Sequence, residues 1–352
     1  MKKTLHTIIG LMFISLSGMA QQDYHFSQFF ASPITYNPAN TGAFEGDIRG
    51  MVNYRSQYGS LSANPFKTIA FAADAPLKLT NLAYDKNFLG VGLAVVNDNA
   101  GIANFNNLSI SANAAYAIDL GGTALNPHFL SVGIQVGYIQ RSLNLDAASW
   151  ENQWNGTGFN LGVPSGERIS GTINESNIDL GGGVSWYKSF NDYTRLLIGA
   201  SVLHANKPKV DILGSNEALM RKYIGHASMA FVPEGSQVTY LPNVFVMFQG
   251  PNRIIDVGSE IEFSFWDRTE YTDFRNNLSM NLGAYYRIQD AIYFIARGNY
   301  HDFSLGISYD FTASSLAENN NGKGGVELVL SYRKSFSGPG TNRQKLIRSK
   351  GL

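Results

Sequence analysis

Asp256, Glu260 and Glu262 recur at even positions over a short stretch, and Arg287 and Arg297 follow within the next segments of chain. On a β-strand a period of two sets side chains on opposite faces, so the three carboxylates share one face. Two chemistries are open to such a set. A row of carboxylates and guanidinium groups inside a pore could select ions. In an enclosed interior, the same groups would pair across the sheet to offset the cost of burial, and pairing is the expectation. Catalysis finds no such constellation. The six histidines, at 6, 25, 128, 204, 226 and 301, lack metal-ligand spacing. No G-x-S-x-G elbow, P-loop or H-E-x-x-H occurs. With 0 cysteines there is no disulfide, thiolate metal site, cysteine nucleophile or lipidated N-terminal cysteine. The sequence therefore implies no cofactor, no metal and no enzyme.

The elements that would hold these charges are strands. Ile255, Val257, Ile261, Phe263 and Phe265 alternate with Asp256, Gly258, Glu260, Glu262 and Ser264, and only Ser259 breaks the apolar series. Phe303, Leu305, Ile307, Tyr309 and Phe311 interleave in the same way with Ser304, Gly306, Ser308 and Asp310. One face is apolar and ends in aromatics, and the other is small, polar or acidic. In a soluble sandwich the apolar face would meet a second sheet. In a membrane barrel it would meet lipid while the polar face lined the lumen.

Composition favours the barrel. Only 15% of the 352 residues are charged, against roughly 25% in an ordinary soluble domain. There are 36 Gly, 18 Tyr and 22 Phe, and the 27 basic and 27 acidic residues cancel, which marks no nucleic-acid partner. Residues 1–20 read as a signal peptide: Lys2 and Lys3, an apolar run from Ile8 to Leu16, and Ser17-Gly18-Met19-Ala20 before cleavage ahead of Gln21. No apolar run reaches the ~20 residues of a spanning helix. A membrane location would therefore need a closed barrel, because backbone groups in lipid must find partners within the chain.

Residues 21–46 form an extended segment rich in Asn, Pro and aromatics, 47–336 the barrel, and 337–352 a basic tail with Arg343, Lys345, Arg348 and Lys350. About fourteen strands are predicted, each near the ~10 residues a tilted membrane strand needs. Their cores are 47–57, 66–75, 87–97, 105–120, 127–141, 177–189, 193–204, 221–232, 237–249, 252–266, 274–288, 290–298, 301–312 and 324–335. Strands 66–75 and 237–249 alternate poorly. The longest connections, 142–176, 205–220 and 313–323, are all odd-numbered. That is the parity of external loops in a chain whose first strand rises from the periplasm. The outward sets of the clean strands carry no Lys, Arg, Asp or Glu, and a basic residue at the bilayer centre would cost roughly 2–4 kcal/mol. Tyr116, Tyr138, Trp186, Tyr286, Phe311 and Tyr332 fall near strand ends on those faces, where an aromatic girdle belongs.

The segment after the leader resembles a known family. Asp23-Tyr24-His25-Phe26-Ser27-Gln28-Phe29, Pro33, Tyr36-Asn37-Pro38-Ala39 and Gly42 are similar to the opening of the PorP/SprF outer-membrane proteins. The likeness continues through Asn53-Tyr54-Arg55-Ser56-Gln57, Gly90-Val91-Gly92, Asn97-Asp98-Asn99-Ala100-Gly101 and Gly199-Ala200-Ser201-Val202-Leu203-His204. It goes on through Tyr285-Tyr286-Arg287, Gly306-Ile307-Ser308-Tyr309-Asp310-Phe311 and Gly325-Val326-Glu327-Leu328. The loop at 142–176 and the tail after Phe336 carry no part of it. The resemblance implies a non-enzymatic barrel of the Bacteroidetes type IX secretion and gliding-motility machinery. Its partners would be outer-membrane lipid, other secretion components, and a secreted cargo or adhesin bearing a C-terminal domain, which it helps to export or anchor at the surface.

Residues 23–42 could contact such a partner, or plug or seal the barrel with Phe26, Phe29 and Tyr36 as packing anchors, and the packing role is the expectation. Trp150 and Trp154 are candidate binding anchors in the longest loop. The basic tail reads as solvated chain. A porin-like solute channel is the alternative function, and a secreted soluble β-protein is a third.

Overall fold

The computed structural model describes residues 23–336 apart from 60–63, 78–86, 124–125, 161, 167–170, 211, 213–217, 266–277 and 316. The expected leader, residues 1–20, and the expected basic tail, 337–352, lie outside the described residues. Fourteen strands run antiparallel in sequence order and close on themselves. They are β1 (Ile48–Gln57), β2 (Phe66–Leu77), β3 (Phe88–Ala100), β4 (Phe105–Asp119), β5 (His128–Asn144), β6 (Thr172–Asn191) and β7 (Thr194–Leu203). The second half comprises β8 (Lys222–Phe231), β9 (Val238–Gln249), β10 (Asn252–Ser264), β11 (Leu278–Arg287), β12 (Ala291–Tyr300), β13 (Phe303–Thr312) and β14 (Lys323–Lys334). Closure is made by β1 on β14, in register from Ile48↔Lys334 to Gln57↔Gly325. No strand edge is left open, which is what a sheet in lipid requires.

Alternation sorts the wall into two faces. Val257, Ile307 and Leu305 point outward with 45%, 50% and 60% of their surface exposed, while Asp256, Glu260, Glu262, Asp310 and Glu327 point inward and are buried. The odd-numbered connections, with the long ones after β5, β7 and β13, gather at one mouth of the barrel. The even-numbered turns, such as those after β6, β8 and β12, gather at the other. We call these the odd-loop mouth and the even-turn mouth.

Two departures from the expected strands have physical causes. β5 and β6 stay paired as far as Asn144↔Thr172, so the expected 142–176 loop shrinks to 145–171. Ile173, Asn174, Glu175 and Ser176 hold a single apolar residue, so there is no apolar–polar alternation to read. The weak patterns of β2 and β9 have a different cause, because part of the inward face of each is apolar as well as the outward face. Ala70, Ala72, Leu241, Phe245 and Met247 point inward and are buried. β9 also carries Pro242, facing outward in mid-strand. Its register with β10 is continuous through Ser259↔Pro242, while the β8–β9 register passes from Ser228↔Asn243 to Phe231↔Tyr240 with no pair between. Proline has no N–H to give to a ladder.

Candidate functional site in the barrel lumen

The apolar inward residues of β2 and β9 meet residues 23–46, which run through the interior from the odd-loop mouth to the start of β1. The path is built from three short 3-10 turns, Phe29–Ala31, Pro33–Thr35 and Pro38–Asn40. Pro33 and Pro38 open the second and third, where a missing N–H costs nothing and φ is already set. Asn37 caps the third, its Oδ1 accepting from Ala39 N at 3.0 Å.

At the odd-loop end the segment is held by charge. Asp23 N donates to Gln249 Oε1 at 3.1 Å, and its carboxylate lies 2.7 Å from His204 Nε2 and 3.6 Å from Lys222 Nζ. His204 Nδ1 lies 2.9 Å from Asp179. Burial opposes the charged ring of His204, but Asp23 and Asp179 outweigh it and raise its pKa to about 9. Burial likewise works to raise Asp23, yet Lys222 and His204 hold it far below the usual carboxylate range. His25 is pushed well below its ordinary value by burial, with Arg287, Arg55 and Lys222 adding to the effect.

Four residues further on, a second clamp closes. Ser27 N and Gln28 N each donate to one oxygen of Glu327, at 2.7 and 2.9 Å. Ser27 Oγ donates to Asp310 at 2.8 Å and accepts from Arg55 and Arg287. Arg55 reaches Asp310 at 2.7 Å and Glu327 at 2.9 Å; Arg287 reaches Asp310 and Asp256, both at 3.0 Å. These charges are buried from water, and each cation is paired by charge-assisted bonds.

In the middle the contacts are aromatic. Phe26, Phe29 and Tyr36 form one buried cluster with inward Phe245, Met247, Ile254, Tyr285, Tyr293 and Ile295. Phe29 stacks on Phe245 with ring centres 4.8 Å apart, and Tyr36 meets the same ring edge-on at 5.0 Å. Tyr36 Oη accepts from Phe26 N at 2.7 Å.

Toward the even-turn mouth the wall itself makes room. A methyl group on Gly90 would overlap the Thr41 carbonyl, one on Gly133 the Pro38–Ala39 peptide, and one on Gly183 the Asn37 side chain. Small hydroxyls then bond the exposed backbone: Ser131 Oγ donates to Ala39 O at 2.7 Å and Ser201 Oγ to Tyr36 O at 2.5 Å. Asn37 Nδ2 donates to Val184 O and Ser185 Oγ at 3.1 and 3.0 Å. Gly42, at φ +73°, donates its N–H to Asp74 at 2.7 Å, and Asp74 is paired with Arg49 at 2.7 Å.

The sequence-derived candidates fall as follows. Asp23, Ser27, Gln28, Phe26, Phe29, Asn37, Pro38 and Ala39 are all buried in this interior, and Gly42 sits at its lower end. Pro33 and His25 are half-buried, and His25 Nε2 finds no partner among the described residues. Asp256 pairs with Arg287, and Glu260 pairs with Arg297 at 2.6 Å. Glu262 shares their face and is buried. Trp150 and Trp154 stand apart in the 145–171 loop. Trp154 is 52% exposed and packs edge-on against Phe159 at 5.0 Å, and Trp150 flanks the 3-10 turn Glu151–Gln153.

Arg55, Asp310, Glu327, Arg49, Asp74, Lys222, Asp179 and His204 were missed as lumen partners. The available signal was that Arg55, Asp310 and Glu327 occupy inward positions on three successive strands around the β1–β14 closure. Among the described residues no cluster of His, Asp and Glu could hold a metal ion.

An apolar outer wall around a closed antiparallel sheet is the architecture of an outer-membrane barrel. Solved barrels with a similar course include the Pseudomonas putida toluene transporter TodX, at 11% identity over 89% of this chain and 95% of that one, TM-score 0.45. A Pseudomonas aeruginosa FadL homologue is 12% identical over 84% and 92%, TM-score 0.41. BamA from Haemophilus ducreyi lacking POTRA domains 1–3 is 11% identical over 82% and 70%, TM-score 0.38. Among curated proteins nothing matches. The family comparison is decisive: residues 18–332 match the type IX secretion system membrane protein PorP/SprF, and the chain belongs to that family.

Proposed function

We propose that this barrel serves type IX secretion as a recognition and anchoring component of the outer membrane, closed by its own N-terminal segment, and not as a solute channel. Its loops and mouths would engage a cargo or adhesin carrying a C-terminal secretion domain, and its even-turn mouth would meet other components of the machine. The observation that carries the reading is the interior. Phe26, Phe29 and Tyr36 are buried against Phe245, Tyr285 and Tyr293, and Ser27 is locked among Arg55, Arg287 and Asp310. A lumen that passes solutes stays wet, and the buried aromatic cluster across the middle of this interior supports a closed one. The wall supplies a fixed scaffold for the loops, including the Trp154–Phe159 pair.

The reading is tested in two arms. Liposomes carrying the purified protein should show no sugar-driven swelling, and the detergent-solubilised protein should bring down an exported surface protein or another secretion component. Free sugar flux with no companion would favour the porin-like channel instead. Deletion of residues 23–42 should impair barrel folding; an intact barrel that has lost only cargo export would assign the segment to partner contact.

A further inference from the structure

We propose that the even-turn side of the interior binds an acidic peptide segment of a periplasmic partner, with an aliphatic side chain in a cavity beside Arg49 and a carboxylate on Arg333. The cavity holds about 40 Å³ and is partly open. The interior segment lines it with Phe30, Pro33 and Tyr36, and the wall with Leu197, Phe245 and Arg49. A benzene ring needs about 150 Å³ and a water about 10–15 Å³, so the space suits the end of a small aliphatic side chain. His226, also in the lining, adds a polar contact. Its Nε2 lies 3.1 Å from Asn37 Nδ2 and 3.3 Å from Asn40 Nδ2, both donors. The ring therefore accepts there and carries its proton on Nδ1. That N–H has no partner among the described residues and is free to donate to a peptide carbonyl.

Charge names the other half of the ligand. Arg333 on β14 stands directly opposite Arg49 on β1, so the two side chains share the inward face. Arg49 is engaged: Nε and Nη2 donate to Asp74 at 2.9 and 2.7 Å, and Nη2 also to Asn40 O at 3.2 Å. Like charges facing each other on neighbouring strands repel. Of the charges that act on Arg333, Arg49 and Arg297 outweigh Glu45 and Asp74. Elsewhere in the lumen Arg55, Arg287, Arg297 and Lys222 each face a carboxylate. The Arg333 guanidinium has no hydrogen bond or ion pair among the described residues. An incoming carboxylate would meet its planar fork and relieve the repulsion from Arg49. Assigning that carboxylate to a partner chain rests on the reading that the even-turn mouth meets other components of the machine. Binding by the purified barrel does not, so the two can fail separately.

The test titrates the purified barrel in detergent, by fluorescence anisotropy, with a labelled Ser-Glu-Val-Glu-Ser peptide blocked at both ends, and in parallel with Ser-Gln-Val-Gln-Ser. The acidic peptide should bind saturably and the neutral one about tenfold more weakly, the loss of one charge-assisted bond. Arg333→Gln should weaken the acidic peptide by a similar factor while the barrel keeps its heat resistance, because that side chain holds nothing in the fold. Arg333→Lys should retain part of the affinity. Trp in place of the peptide's Val should bind more weakly, and no loss would overturn the cavity as its seat. The site is overturned by no saturable binding, by equal affinity for the two peptides, or by undiminished affinity in Arg333→Gln. Binding lost on removal of residues 337–352 but kept in Arg333→Gln would overturn it too, in favour of the basic tail. Isobutyrate competing as well as unlabelled acidic peptide would overturn the peptide assignment in favour of a small free acid.

Discussion

The two ends of the interior segment are held by different physics. Around Asp23 and Ser27 the grip is ionic: Arg55, Arg287, Lys222 and His204 face Asp23, Asp179, Asp256, Asp310 and Glu327. Around Asn37 to Gly42 it is steric, with backbone lying against Gly90, Gly133 and Gly183 and fixed by Ser131, Ser185 and Asp74. A buried ion network is strong only while complete, because removing one member strands the others in a medium of low dielectric. A glycine seat tolerates no added atom, and the charge that holds this end is the Arg49–Asp74 pair at Gly42 N. The first end should thus answer mainly to charge substitutions, the second mainly to volume.

The largest effect is expected at the ionic end. Arg55→Ala leaves Asp310 and Glu327 with fewer partners and should destabilise the folded barrel by about 3–5 kcal/mol, read as a fall in the temperature at which the unboiled gel band is lost. An unchanged temperature would show that the network contributes little. A substitution on the outer wall separates the lumen from the membrane. Leu305→Lys should cost roughly 2–4 kcal/mol and impair assembly, while Ser304→Lys on the opposite face is tolerated; equal tolerance would mean that the facing of β13 is wrong.

At the steric end, Gly133→Ala pushes a methyl into the Pro38–Ala39 peptide and should cost about 1–3 kcal/mol. Gly225→Ala, whose added methyl meets nothing within 4 Å, is its control. Equal stability of the two would dismiss the seat.

The smallest effect is the pH dependence of the ionic end. His204 is held at about 9 against its ordinary 6.5, so its contribution is complete below about 6.5 and disappears as pH rises through 9. His25 is shifted the other way, and the unfolded chain gains a proton below about 6.5 that the folded one refuses, so stability also falls in acid. Unfolding temperature plotted against pH should decline on both sides of about 6.5, and His204→Gln should flatten the alkaline side alone. Parallel curves for the variant and the parent protein would remove His204 from the account.

The wall was legible because lipid outside and polar groups inside impose a period of two that survives in β10 and β13 residue by residue. The lumen was not, because its partners are remote in the chain: Ser27 and Glu327 are 300 residues apart, and no local pattern encodes that meeting. The trace that did exist was negative. β2 and β9 fail to alternate because Ala70, Ala72, Phe245 and Met247 pack against the segment in place of water, so a missing period marked the packed side of the lumen. The segment's aromatics pointed to packing; the charges that hold Ser27 and Asp23 belong to strands whose inward positions only register reveals.

The central claim is that residues 23–42 are part of the folded interior. Hydrogen exchange of the purified protein in detergent tests it most directly. Peptides covering Phe26 to Asn40 should exchange as slowly as those from β10 and β13, and far more slowly than the 145–171 loop. Exchange of Ser27 and Gln28 at the rate of that loop would contradict the account.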